Sequence, residues 1–204
     1  MKRLVVATRN RGKQAELRTL LAPLEVELVF PDDIGLREDP EEAGLERFTT
    51  FVENARAKAE WFVARAGLPT LADDSGVEVD ALSGAPGVHS RRFAGVEGLD
   101  HEVAGANNAE LLRRLAGVAA TARAARYRGV LVLCRPGMSE LVVEGVTEGR
   151  IAFAPRGSGG FGYDPLFFST ELGMTFGEAS ATEKERVSHR ARAARALIER
   201  LFLG

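Results

Sequence analysis

Three features of the chain predict an α/β fold. Apolar runs at residues 3–7 and 26–30 ("VELVF") bracket a helical pattern over 12–22, which gives a β-α-β start. Residues 48–66 carry the clearest helical periodicity, and "ARYRGVLVLCR" and "SELVVEGVTEGRIAF" read as two strands joined by a turn at Pro136 and Gly137. With 204 residues, 45% of them hydrophobic, the chain is long enough for one well-buried core and short for two, so a single domain over 1–204 is expected.

The elements follow in order. The first helix takes its apolar face from Ala15, Leu17, Leu20, Leu21 and Leu24. Residues 31–47, "PDDIGLREDPEEAGLER", are acidic and punctuated by Pro and Gly, which predicts a loop or flap. In the next helix Phe48, Phe51, Val52, Ala55, Ala59, Phe62, Val63 and Ala66 form the buried stripe, and Gly67 with Pro69 stops it. Asn54 and Lys58 lie one turn apart beside that stripe, so they share an edge. "TLADDSGVEVDAL" runs from a strand end at Leu71 through a turn at Asp73–Gly76 into an alternating segment, Val77–Leu82. Residues 83–98 are rich in turn formers, a short helix is expected at 107–116, and a Gly-rich loop, "PRGSGGFGYDP", precedes the apolar "LFF". A last amphipathic helix buries Val187, Ala191, Ala194, Ile198 and Leu201, with Thr182 and Glu185 at capping-box spacing.

Charge and composition exclude several classes. A formal net charge of −2 argues against a general nucleic-acid binder, which presents a strongly basic face. Cys134 is the single cysteine and sits in "GVLVLC", so it forms no intramolecular disulfide and reads as core. No apolar run reaches the length of a membrane span and the N-terminus lacks a signal-peptide pattern, so a soluble cytoplasmic protein is expected. Lysine occurs only at Lys2, Lys13, Lys58 and Lys184 among many arginines. The three internal lysines therefore mark places where a compact ammonium suits better than a planar fork, or they fall there by chance.

Four stretches carry candidate chemistry. In "LVVATRNRGKQAEL" a strand breaks into Thr8, Arg9, Asn10, Arg11, Gly12 and Lys13 before a helix. Free backbone N–H groups and a lysine converge there, which suits either a phosphate cradle or a solvated turn, and the Walker pattern is absent because Gln14 follows Lys13. "ADDSG" places two carboxylates side by side, and Asp73 or Asp74 suits a magnesium ligand as well as a capping turn. A phosphoryl-accepting aspartate would need an aspartate-x-aspartate after a hydrophobic strand, which is missing. "GSGGFGYDP" offers close backbone approach and the flat faces of Phe161 and Tyr163, either for a nucleobase or for its own packing. "EKERVSHR" gathers Lys184, His189 and Arg190 at a helix start, either for an anion or as a solvated charged turn.

Taken in order, Thr8-x-Asn10-x-x-Lys13, "ENARAKA", "ADDSG", "GAPGVHSRRFAG", "GGFGYDP" and "EKERVSHR" resemble the inosine triphosphate pyrophosphatase family, the non-canonical purine NTP pyrophosphatases, in their bacterial branch. The resemblance covers nearly the whole chain. It implies a mixed α/β fold with a curved central sheet and flanking helices, two lobes around a nucleotide cleft, and a homodimer. It also implies Mg²⁺-dependent hydrolysis of ITP, dITP and XTP to the monophosphate and pyrophosphate, with no membrane and no stable nucleic-acid partner.

On this resemblance Thr8 to Lys13 contact the phosphates, Asp74 is the proton acceptor and a metal ligand, and Ser75 binds substrate. Phe161, Gly162, Tyr163 and Asp164 hold the base and sugar, and Lys184, His189 and Arg190 complete recognition, with His189 or Arg190 donating toward the 6-oxo group. The family's acidic pair runs through Thr-Gly-x-Thr-Phe to its Glu-Asn-Ala helix, whereas "EEAGLERFTTFVENA" inserts residues between Gly44 and Glu53. The second metal ligand therefore maps to Glu42, with Glu41 as its neighbour. Two other readings share parts of the pattern: a broad-specificity nucleoside triphosphate diphosphatase, and a non-enzymatic nucleotide or RNA-binding protein using "HRARAARALIER".

Overall fold

The structure, a computed structural model, describes residues 2–203. Seven strands form one mixed sheet with the order β2-β1-β3-β4-β5-β6-β7: β1 Arg3–Val6, β2 Glu27–Val29, β3 Thr70–Val79, β4 Ala124–Cys134, β5 Leu141–Ile151, β6 Phe167–Ser169 and β7 Met174–Thr175. β1 is parallel to β2 (Leu4 opposite Leu28) and to β3 (Val6 opposite Leu71), as β-α-β crossovers require. β5–β6 and β6–β7 are antiparallel. The helices are α1 Arg11–Leu20, α2 Phe51–Ala66, α3 Asp100–Arg114, α4 Ala181–Val187 and α5 His189–Leu203.

The chain divides into two compact units. The first comprises Met1–Asp74, Gly129–Gly145 and Arg190–Gly204. Its core joins Leu4, Val6, Leu71, Leu131 and Leu133 of the strands to Leu17 and Leu21 near α1 and to Ala193, Ala194 and Leu197 of α5. Residues two apart on a strand share a face, so Leu4 and Val6 enter this cluster together. α2 packs on β1 and buries Ala55, Ala59 and Phe62; its start is fixed by Thr50, whose hydroxyl accepts the Glu53 N–H, and Gly67 ends it at φ 63°. The second unit comprises Ser75–Arg128 and Val146–His189. Its core gathers Val77, Val79, Leu111, Tyr127, Ile151, Leu166, Phe167 and Phe176. Cys134 is buried, as a core cysteine should be.

Several boundaries differ from the sequence reading. "ADDSG" is not a turn: β3 runs straight through it to Val79. α3 begins at Asp100, seven residues before the expected start, because Glu102 accepts the Leu99 N–H and caps a stretch of weak helix formers. The segment after Pro31 is not wholly irregular but holds two 3-10 turns, Pro31–Ile34 and Pro40–Gly44. The last helix is split at Ser188, whose backbone is extended (ψ 151°), with the Val187 carbonyl accepting the Thr147 hydroxyl at 2.6 Å. Its capping box is Ser180 with Glu183 rather than Thr182 with Glu185.

Candidate functional site

In the first unit, β1 ends at the loop that opens α1. Asn10 caps the helix, its Oδ1 accepting the Lys13 N–H at 2.9 Å, while the Thr8 hydroxyl accepts the Asn10 N–H at 3.2 Å. The first turn of α1 has no acidic side chain and carries Arg11, Gly12 and Lys13, so the positive end of the helix is left for an anion. Lys13 Nζ sits 2.5 Å from Asp73 Oδ1.

Asp73 and Asp74 are neighbours on β3, and side chains of adjacent strand residues point to opposite faces. Their surroundings differ accordingly. Asp73 accepts Arg190 Nε at 3.0 Å as well as Lys13, and Arg190 also pairs with Glu16. Burial alone would raise the Asp73 carboxyl, but the Arg190 guanidinium and the Lys13 ammonium override it and hold it far below the usual carboxylate range. Asp74 accepts a neutral hydrogen bond from Asn54 Nδ2 at 3.0 Å. Burial pushes its carboxyl from 3.8 up to about 6; Lys58, Lys13 and Asn54 oppose the rise, and the nearby Glu46 charge adds to it. Two adjacent carboxylates driven apart in this way are suited to different tasks, an anchor and a proton acceptor.

Lys58 stands between the acidic groups. Its ammonium pairs with Glu46 and donates to the Asp73 carbonyl at 3.0 Å. Burial lowers its affinity for a proton, yet the charges of Glu46 and Asp74 outweigh this and raise it. The expected shared edge of Asn54 and Lys58 is thus realised, with both side chains on the Asp73–Asp74 stretch.

The two acidic residues that the resemblance assigns to the metal are engaged by basic and polar side chains. Glu42 is held by the Arg9 guanidinium, at 2.9 and 2.7 Å, and Glu41 by Arg65 at 2.7 Å and Trp61 at 3.1 Å. The acidic-segment carboxylate whose charge acts on Asp74 is Glu46. Arg9 and Arg190 likewise give their guanidinium groups to carboxylates of the first unit rather than presenting them as open donors.

In the second unit the Gly-rich loop is organised by Asp164. Its Oδ2 accepts the Phe161 N–H at 2.8 Å and Lys184 Nζ at 2.5 Å, and its Oδ1 accepts the Tyr127 hydroxyl at 3.2 Å. Lys184 Nζ also lies over the Phe161 ring, 4.9 Å from its centre. Tyr127 stacks on His189 with ring centres 4.6 Å apart and planes 10° from parallel. The Tyr163 hydroxyl donates to the Ser90 carbonyl at 2.8 Å, and the Gly162 carbonyl accepts Asn108 Nδ2 at 3.1 Å. Ser75, at the start of this unit, is half-buried on β3. Tyr127 carries no motif in the sequence, where it lies on a strand between Arg126 and Arg128.

Gly160 is required where it stands. Its φ is +69°, and a Cβ there would lie 2.0 Å from Asp164 Oδ2. Gly160→Ala is expected to lower unfolding stability by about 2 kcal/mol or more, measured by urea denaturation, because the loop and the Asp164–Lys184 pair cannot both keep their places.

The carboxylates fit a magnesium ion on the chemistry of the donors. Asp74 and Glu46 are hard oxygen ligands, and ionised Asp74 is destabilised by the charge of Glu46. Among the described residues no three or more His, Cys, Asp or Glu side chains gather as a metal cage. Two carboxylates, with substrate phosphates and water completing the shell, are what Mg²⁺ commonly uses.

The sequence profile of the Ham1 family matches residues 4–200. Among curated proteins the chain is similar to the dITP/XTP pyrophosphatase of Xylella fastidiosa (strain Temecula1), 47% identical over 195 residues that cover 95% of this chain and 94% of the relative. It is also similar to the dITP/XTP pyrophosphatase of Thermus thermophilus, 47% identical over 97% of this chain and 90% of that one. Among solved structures it resembles a HAM1 protein from Coxiella burnetii, with a TM-score of 0.85, 35% identity and full coverage of both chains. It also resembles the Staphylococcus aureus Ham1 protein, with a TM-score of 0.83, 34% identity and 98% coverage of both. The ordered motifs, the mixed seven-stranded sheet and these similarities together establish that the chain belongs to the Ham1 family.

Proposed function

We propose that this protein hydrolyses non-canonical purine nucleoside triphosphates, dITP, ITP and XTP, to the monophosphate and pyrophosphate. The observation that carries the reading is the pair of unequal aspartates: Asp73 neutralised by Arg190 and Lys13, Asp74 raised to about 6 beside Glu46. The names of the curated relatives support the same reaction.

The α1 N-terminus, Thr8, Asn10 and Lys13 are assigned to the triphosphate. Asp74 and Glu46 would hold Mg²⁺, which when bound supplies neutralisation of phosphate charge. Asp74 takes the proton of the water that attacks the α-phosphorus. The bond from that phosphorus to the bridging oxygen breaks, and pyrophosphate leaves with the electron pair. Phosphoryl transfer of this kind needs positioning and charge stabilisation more than covalent help.

In the second unit the Phe161 face is assigned to stacking on the base and His189 to donating toward the 6-oxo group. Stacking contributes about 1–3 kcal/mol for any base, so discrimination rests on the donor. A 6-amino group presents a donor where an acceptor is needed, and mismatched buried polar groups discriminate strongly. The cytoplasm is the proposed location and a homodimer the proposed assembly; among the described residues no helix is long and apolar enough to cross a membrane.

Pyrophosphate release from ITP, XTP, GTP and ATP, with and without Mg²⁺, tests the proposal. Metal-dependent cleavage of ITP and XTP, with ATP slower by about 10²-fold or more, is expected; guanine shares the 6-oxo acceptor, so rejection of GTP would have to act on its 2-amino group. Equal rates on all four would leave a general diphosphatase, and no release from any would leave a nucleotide-binding fold.

A further inference from the structure

Arg9 belongs to the loop assigned to phosphate, yet its guanidinium reaches into the acidic segment of the same unit. Nε and Nη2 take the two carboxylate oxygens of Glu42 at 2.9 and 2.7 Å, Nη1 reaches Asp32 Oδ1 at 2.5 Å, and Nη2 also donates to the Leu36 carbonyl at 3.0 Å. A two-pronged Arg–carboxylate pair fixes direction as well as distance. The Arg9 and Glu42 side chains are 21% and 16% exposed, so water screens this pair less than the Asp32 contact, whose carboxylate is 75% exposed. Glu42 Oε1 additionally accepts the Asp39 N–H at 3.2 Å, which ties the guanidinium to the start of the 3-10 turn at Pro40–Gly44.

The segment needs such a tie. From residue 32 to residue 46 no side chain is buried, so apolar packing does not hold it in place. Toward α2 it has two further side-chain anchors, the exposed Glu41 with Arg65 and Trp61, and Glu46 with Lys58 at the segment's end. Ordering a segment with so little buried surface costs conformational entropy that its polar ties must offset. At its end stands Glu46, paired with Lys58 and acting on Asp74.

We infer that Arg9 is a positioning residue: through Glu42 and Asp32 it fastens the acidic segment so that Glu46 stands at Asp74, and it does not itself bind the nucleotide. The inference rests on the proposed function for the roles of Glu46 and Asp74.

Two readouts on Arg9→Met, and on the exchanged pair Arg9→Glu with Glu42→Arg, test it. The first is backbone amide exchange of residues 36–46 in metal-free protein; the second is the Mg²⁺ dependence of pyrophosphate release. In Arg9→Met, exchange of the segment should accelerate by about tenfold or more while β1 and α2 stay protected, and half-saturating Mg²⁺ should rise by about tenfold. The rate at saturating Mg²⁺ should stay within about threefold of wild type, and the exchanged pair should recover part of both effects. Unchanged exchange or an unchanged Mg²⁺ requirement overturns the inference. So does a rate loss that saturating Mg²⁺ cannot restore, which would make Arg9 a nucleotide contact. A wild type that releases no pyrophosphate overturns the proposed function and the positioning role with it, and exchange then separates a purely structural clamp from none.

Discussion

Asp74→Asn is expected to abolish turnover while making the metal-free protein more stable. The variant keeps the shape and an acceptor for the Asn54 amide, but it has no charge and no useful basicity. Loss of a general base lowers the rate by about 10²–10⁴-fold, read as pyrophosphate release under saturating substrate. The stability gain follows from linkage. The folded-state carboxyl lies near 6 against an ordinary 3.8, so the fold favours the neutral form. That preference adds stability below the unfolded value and is lost as pH rises through 6. At neutral pH and above, the ionised carboxylate therefore destabilises the wild type by about 1–3 kcal/mol, a penalty the amide escapes. Thermal melts in chelator should show the Asp74→Asn variant melting several degrees higher than wild type at pH 8, at about 2–4 °C per kcal/mol, with the difference shrinking toward pH 4. Retained turnover, or a variant less stable at pH 8 than wild type, would contradict the assignment.

Asp73→Asn should do the opposite. Asp73 is 1% exposed and neutralises Arg190, itself 2% exposed, with Lys13 as a second partner. Removing one member of a buried pair leaves the other charge stranded, at about 3–5 kcal/mol, although Glu16 retains part of the Arg190 interaction. The melting temperature at pH 7 should fall by about 6 °C or more. Because the folded-state carboxyl is depressed, its contribution is full above the unfolded value and fades as pH falls below about 4. The two neighbouring variants should thus shift stability in opposite directions at neutral pH. If both destabilise equally, the division of labour between anchor and base is refuted.

Much of this site was legible in the residues. The three internal lysines each meet a carboxylate: Lys13 meets Asp73, Lys58 meets Glu46 and Lys184 meets Asp164. A compact ammonium fits those tight positions, and the scarcity of lysine in an arginine-rich chain pointed to them. Asn54 and Lys58 were legible as a shared edge because helical spacing is local. Glu46 was not: its charge reaches Asp74 only once the acidic segment has folded against α2. The split at Ser188 was also hidden: no Gly or Pro marks it, and the Val187 carbonyl it frees is taken by Thr147, forty residues earlier in the chain.

Local rules in the sequence determined the β-α-β start, the strong α2 helix with its Gly67 stop, the buried cysteine and the ordered motifs of the family, because periodicity, capping and turn chemistry act over a few residues. The resemblance named Asp74, but only tertiary structure supplies the physical difference between the two adjacent aspartates, one charge-neutralised and the other with its carboxyl pushed up. That difference depends on Arg190 and Lys13 reaching one face of β3 while Asn54, Lys58 and Glu46 surround the other carboxylate, and charge interactions between groups far apart in sequence exist only once the chain has folded.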